Sequence, residues 1–230
     1  MTTLCIIPAR GGSKRIHKKN IKEFFGKPII YYSIKNAKDS KCFDEIMVST
    51  DNIEIKNISE KYGANVPFMR SEQNSNDKAS TRDVILEVLK YYRGKKQFFD
   101  YVCCIYPTAP LINIKYLMLG FEKIKKYDYV FTAAAYSSPI QRSLIKQNNS
   151  LIYKYPEHMY SISQSLDEHY YDCGQFYWMK TKNILETNKI YSKNNYPIIL
   201  SETECQDIDK ETDWELAEMK YDFINNKTKS

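Results

Sequence analysis

Apolar runs of strand length alternate with helix-period segments as far as Ala135, and that rhythm constrains the fold most. Thr3–Ala9 is apolar and ends in a turn, the pattern of a buried strand. An apolar-periodic stretch then runs to about Asp39, with Pro28 suited to its first turn. Glu45–Ser49 reads as a second strand, Ile53–Tyr62 as a helix closed by Gly63, and Asn65–Met69 as a short strand. Thr81–Tyr92 reads as a helix, Tyr101–Tyr106 as a buried strand, Asn113–Lys126 as a helix and Tyr129–Ala135 as a strand. This order predicts an α/β fold: a mostly parallel sheet with helices on both faces. Such sheets bind ligands beyond the carboxyl ends of their strands.

The rhythm changes after Ala135. Ser143–Tyr155 reads as a hairpin around Gln147-Asn148-Asn149-Ser150. Met159–Asp172 is polar and aromatic without a clear period, and Gln175–Met179 and Ile198–Leu200 read as strands. The last helix is predicted over about Asp213–Asn225, with Thr212 and Glu215 in capping-box spacing. No repeat or linker interrupts the chain. It reads as one domain over 1–230 with a small β-rich insertion at about 136–172, suited to sugar binding or dimer contact.

A length of 230 residues and 43% hydrophobic content support a substantial core and argue against disorder. No apolar run approaches the roughly 18–20 residues of a membrane span. Thr2–Ala9 is too short for a signal peptide and leads into a polar loop. Six cysteines lack metal or redox spacing, and Cys5, Cys103 and Cys104 fall in apolar runs, so a cytoplasmic protein is expected. The net charge of +6 is spread along the chain, which argues against a nucleic-acid reader.

One cluster of cations is the exception. "IIPARGGSKRIHKKN" (6–20) follows the first strand, where a ligand loop belongs. Gly11 and Gly12 are expected to supply φ > 0 and bring backbone N–H groups close to an anion. Arg10, Lys14 and Lys19 add charge. The spacing is neither G-x-x-x-x-G-K-[ST] nor G-x-G-x-x-G. On residues alone it is either a phosphate-binding turn or a basic surface turn. A second motif, "CQDIDKETDW" (205–214), puts Asp207 and Asp209 two apart. In an extended segment they face one way, roughly 7 Å apart at Cα, with Ile208 toward the core. That is either a hard-oxygen site for Mg²⁺ or an acidic turn ahead of a helix.

The basic turn resembles the N-terminal signature of the CMP-sialic-acid synthetases, the cytidylyltransferases for nine-carbon acidic sugars. The match falls on Pro8, Ala9, Arg10, Gly12, Ser13, Lys14, Lys19 and Asn20. The likeness runs over roughly residues 3–220. It implies a Rossmann-like nucleotidyltransferase fold. It makes Ala9, Arg10, Gly11, Gly12, Ser13, Lys14, Lys19 and Asn20 nucleotide-binding, with Arg10, Lys14 and Lys19 on the CTP phosphates and Asn20 on the base side. It makes Asp207 and Asp209 the Mg²⁺ ligands. "MRSEQNSNDKAST" (69–81) is similar to the family's Arg…Asp…Ser/Thr stretch and gives nucleotide contacts to Arg70 and Thr81, with Asp77 organising the loop.

"YPTAPL" (106–111) resembles the family's Gln-Pro-Thr-Ser-Pro-Leu, with Tyr106 in place of the sugar-side Gln. "SQSLDEHYYDCGQFYW" (163–178) resembles the pseudaminic-acid branch and implies sugar contacts from Gln164, Tyr171, Asp172, Gln175 and Tyr177. The arginine that often precedes Ser-Gln is Ile162 here. A sugar carboxylate still needs a partner: Arg142, from the insertion or from a partner subunit, is the favoured one, and backbone N–H groups are the alternative. The implied reaction is transfer of CMP from CTP to the anomeric hydroxyl of pseudaminic acid, with pyrophosphate leaving. Arg10, Lys19, Asp207 and Asp209 carry it, Mg²⁺ is the cofactor and a homodimer the expected assembly. Neuraminic or legionaminic acid is the alternative substrate, and a metal-dependent glycosyltransferase the remoter alternative.

Overall fold

The computed structural model describes residues 1–227, so residues 228–230 of the expected domain lie outside the described residues. The chain runs β1 (Thr3–Pro8), β2 (Glu23–Phe24), β3 (Lys27–Pro28), α1 (Ile30–Ser40), β4 (Glu45–Ser49), α2 (Ile53–Lys61), α3 (Thr81–Gly94) and β5 (Tyr101–Ile105). It continues with α4 (Ile114–Ile124), β6 (Tyr129–Ala135), β7 (Leu144–Gln147), β8 (Ser150–Tyr153), β9 (Tyr170–Lys180), α5 (Thr181–Thr187), β10 (Asn195–Leu200) and α6 (Glu211–Lys227). Six strands form the central sheet in the order β10-β6-β9-β5-β1-β4. β1 pairs in parallel with β4 and β5, and β10 with β6, while β9 runs antiparallel between β5 and β6.

Alternation along the strands splits the core into two layers. Cys5 and Ile7 face one way, packing with Ile30, Ile34, Leu117 and Ile124 of α1 and α4. Leu4 and Ile6 face the other, packing with Ile85, Val88 and Leu89 of α3 and Ile184 of α5. Helices therefore cover both faces, which suits strands that are apolar at every position. All six cysteines are free and buried. Burial pushes the Cys104 thiol up to about 12, as befits a core residue.

Several predicted elements change. Pro28 lies in β3 rather than in the first turn of α1, because Phe25 and Gly26 both take positive φ and close a two-residue hairpin with β2. The strand expected at Asn65–Met69 is a single bridge from Met47 to Asn65. Pro67 follows and offers no N–H to a ladder. Thr212 lies inside α6 and not at its cap. The Asp213 carboxylate takes the capping role, accepting from the N–H groups of Asp209 at 2.9 Å and Lys210 at 3.0 Å. β9 begins at Tyr170, so Tyr171 and Asp172 belong to the central sheet and not to the insertion.

The hairpin β7–β8 turns at Asn148, which takes positive φ, and stands apart as a two-stranded sheet. Its Leu144, Ile145, Leu151 and Ile152 are all exposed, and nearby Tyr160 and Ile162 are 89% and 72% exposed. Among the described residues no helix is long and apolar enough to cross a membrane.

Candidate active site

The basic turn leaves the carboxyl end of β1 beside the start of α2. Gly11 donates its N–H to Asp51 Oδ1 at 2.8 Å. A Cβ on Gly11 would meet Asn52 Nδ2 at 2.8 Å. Asn52 in turn caps α2 by accepting from the N–H groups of Glu54 and Ile55. The expectation of φ > 0 at Gly11 and Gly12 does not hold, since neither is among the positive-φ glycines. Close approach to Asn52 is the reason for Gly11. Asn20 is buried and donates its amide to the Arg10 carbonyl at 2.9 Å, which fixes the turn from behind.

The turn forms one wall of a cleft of about 460 Å³. Arg10, Ser13, Lys14, Lys19, Asn20, Arg70, Thr81, Tyr106 and Asp209, all expected at the site, line it together. Arg70 is buried and donates to both the hydroxyl and the carbonyl of Ser49, the last residue of β4. Burial lowers its pKa, opposed chiefly by the charge of Asp51. Thr81 opens α3, and its Oγ1 pairs with the Tyr106 hydroxyl at 3.0 Å.

The acidic segment lies against the turn and lends Asp209, but not Asp207, to the cleft lining. Ile208 is buried with Ile16, Phe24 and Trp214, as its place between two aspartates predicts. Asp209 accepts from Arg15 Nη2 at 2.7 Å, and Lys19 Nζ lies 3.7 Å from the same oxygen. Burial lowers the Lys19 pKa, while Asp209 and then Asp207 oppose the shift. Asp207 lies where a Cβ on Gly174 would approach its Cγ to 3.7 Å. Desolvation by the surrounding chain, then the Asp209 charge, raises the Asp207 pKa. Two carboxylates that repel each other are the groups that could hold a hard cation here. Among the described residues no group of three or more His, Cys, Asp or Glu side chains gathers to hold a metal. A cation here would take its remaining ligands from water and phosphate, the habit of Mg²⁺.

The expected sugar residues divide. Tyr106 is anchored at both ends: its N–H donates to the Gln175 carbonyl at 2.9 Å, and its carbonyl accepts from Ser33 Oγ at 2.8 Å. Its ring stands edge-on to Tyr177 at 5.3 Å. Tyr177 donates to the Asp172 carboxylate, with its hydroxyl 2.9 and 3.0 Å from the two oxygens. Gly174 donates its N–H to the same group at 2.8 Å. Gln175 is a buried residue of β9. It is 2% exposed and donates to the Glu204 carbonyl at 2.6 Å, tying β9 to the 202–204 turn. Tyr171 packs on Tyr136 and directs its hydroxyl to Cys205 Sγ at 3.7 Å. Arg142 donates to Ser163 Oγ at 3.2 Å beside Gln164, and neither Arg142 nor Gln164 lines the cleft. Sequence reasoning missed Arg15 and Asp51 as parts of the site. Arg15 lay within the run of cations, but its partner is 194 residues away.

The family model described as "Cytidylyltransferase" matches residues 4–228. A pseudaminic acid cytidylyltransferase of Campylobacter jejuni subsp. jejuni serotype O:2 is 41% identical over 96% of this chain and 97% of its own length. A CMP-N,N'-diacetyllegionaminic acid synthase of Legionella pneumophila subsp. pneumophila is 32% identical over 95% of each. The solved structure of CMP:2-keto-3-deoxy-manno-octonic acid synthetase complexed with CTP superposes with a TM-score of 0.69. That likeness covers 95% of this chain and 98% of the other at 16% identity, and so speaks to the fold.

Proposed function

This chain belongs to the cytidylyltransferase family, and from that premise we propose that it transfers CMP from CTP to a nine-carbon acidic sugar, pseudaminic acid, releasing pyrophosphate. The observation that carries the substrate is the 41% identity, nearly end to end, to a pseudaminic acid cytidylyltransferase. The anomeric hydroxyl of the sugar attacks the α-phosphorus of CTP in line. Arg10, Lys14 and Lys19 hold the phosphates and stabilise the leaving pyrophosphate, so catalysis is mainly positioning and charge neutralisation. Asp207 and Asp209 would hold Mg²⁺, which supplies charge neutralisation at phosphate oxygens and acidifies a bound hydroxyl. Tyr106, which lines the cleft with Tyr177 and Asp172 packed and bonded behind it, would face the acceptor.

The exposed apolar side chains of β7–β8, with Tyr160 and Ile162, support a homodimer. Arg142 and Gln164 sit on this insertion and not on their own cleft, so a sugar role for them is proposed across the dimer. Six free buried thiols fit a reducing compartment.

A pyrophosphate-release assay with CTP and a panel of nonulosonic acids tests the reading. Pseudaminic acid should turn over fastest. A legionaminic preference, the second reading supported by the Legionella relative, would change the substrate. No pyrophosphate with any such sugar would overturn the reaction.

A further inference from the structure

Asp77 crosses the mouth of the cleft and engages two of its phosphate cations at once. Its Oδ1 lies 2.8 Å from Arg10 Nη1, and its Oδ2 accepts from Lys14 Nζ. It sits on the loop between Arg70 and Thr81, two residues that also line the cleft. The loop is shaped to present it. Asn76 Oδ1 accepts from the N–H groups of Lys78 at 2.8 Å and Ala79 at 3.2 Å, an Asx turn around Asp77. The Asn76 amide donates back to the Gln73 carbonyl at 2.7 Å.

Resting on the reading that this cleft takes CTP, we propose that Asp77 is an intramolecular stand-in for the triphosphate. It neutralises Arg10 and Lys14 in the empty cleft, and the nucleotide gains them only by displacing it. Half-exposed ion pairs of this kind are weak and screened by salt. A carboxylate with one charge therefore yields to a triphosphate with several. It is not displaced by CMP, whose single phosphate is held at the α position and makes no claim on the two cations. Asp77 thus lowers the affinity for triphosphate while leaving that for monophosphate unchanged, and it re-engages the cations once pyrophosphate has gone. The hydrogen bonds from Lys14 and Arg10 hold its carboxyl below the usual carboxylate range, so it stays charged at neutral pH.

The test is equilibrium binding of CTP, CMP and inorganic tripolyphosphate without sugar, at low salt, to wild type, Asp77→Asn and Asp77→Glu. Asp77→Asn should bind CTP and tripolyphosphate about three- to tenfold more tightly, with CMP unchanged, as expected for release of two weak pairs. The gain should shrink at high salt, and Asp77→Glu should return toward wild type. A residue that only organised the loop would give the opposite sign. If wild type binds CTP and Asp77→Asn binds it no more tightly, the proposal falls and the cytidylyltransferase reading stands. If wild type binds no CTP, both fall together.

Discussion

Lys19 Nζ lies 2.5 Å from the Ile208 carbonyl oxygen and 3.7 Å from Asp209 Oδ1, joining the first loop to the acidic segment across 189 residues. One ammonium thus closes the cleft and sets the spacing between cations and carboxylates. Lys19→Ala should raise the KM for CTP tenfold or more and leave that for the sugar close to wild type. Losing a hydrogen bond from a charged donor should also cost about 1.5–3 kcal/mol of stability. Two-substrate kinetics and a denaturant titration check both. A rise confined to the sugar KM would take Lys19 out of the phosphate site.

Asp209→Asn keeps the shape of the segment, because Ile208 and Trp214 still anchor it in the core. It removes one of the two charges proposed to hold Mg²⁺. Turnover should fall at least about a hundredfold, the scale of losing a major electrostatic contribution to the transition state. The Mg²⁺ concentration for half-maximal pyrophosphate release should rise. The Arg15 pair is also lost, but an exposed pair contributes little. Near-normal kcat at saturating Mg²⁺ would remove Asp209 from the metal site.

The central strands were legible because their signals are local. β4 and β6 begin and end where the apolar runs do. Pro28, Asn65–Met69 and Thr212 were misread because a neighbour won a competition that periodicity cannot see. The Phe25–Gly26 hairpin drew in Pro28, and Asp213 took the capping contacts. Residues of the turn could be gathered from a short motif. Their partners could not, since Arg15 meets Asp209 and Arg10 meets Asp77 only after the sheet forms. Gln175 carries no local mark of burial, and only the 202–204 turn beneath β9 shows where its amide goes.

Helix α3 begins in a full capping box between Ser80 and Asp83. Hydrogen bonds from Ser80, then from Arg82, lower the Asp83 pKa from 3.8 to about 2. A depressed folded-state pKa means the ionised form supports folding. That contribution is complete above about 3.8 and is lost as pH falls toward about 2. Asp83→Ala should therefore cost about 1 kcal/mol at neutral pH. The gap between variant and wild type should narrow across that acid window. Thermal melts at a series of pH values read it, and a gap that stayed constant would mean the carboxylate charge plays no part.

Tyr106 lines the cleft beside Thr81, at the proposed boundary between the nucleotide and acceptor sides. Its backbone is held by Gln175 and Ser33 and its ring by Tyr177, so the hydroxyl, paired with Thr81 Oγ1, is the part that serves the cleft. Burial raises its pKa, which keeps the phenol neutral and able to donate. Tyr106→Phe should leave the melting temperature nearly unchanged, because backbone, ring and packing survive. It breaks the 3.0 Å pair with Thr81 Oγ1 and removes a donor from the sugar wall. The sugar KM should rise roughly three- to tenfold, the value of one neutral hydrogen bond, while the CTP KM holds. Thr81→Val breaks the same pair from the nucleotide side, so the two changes combined should be less than additive. Full additivity would show that the two hydroxyls act separately. A rise in the CTP KM alone would move Tyr106 to the nucleotide side.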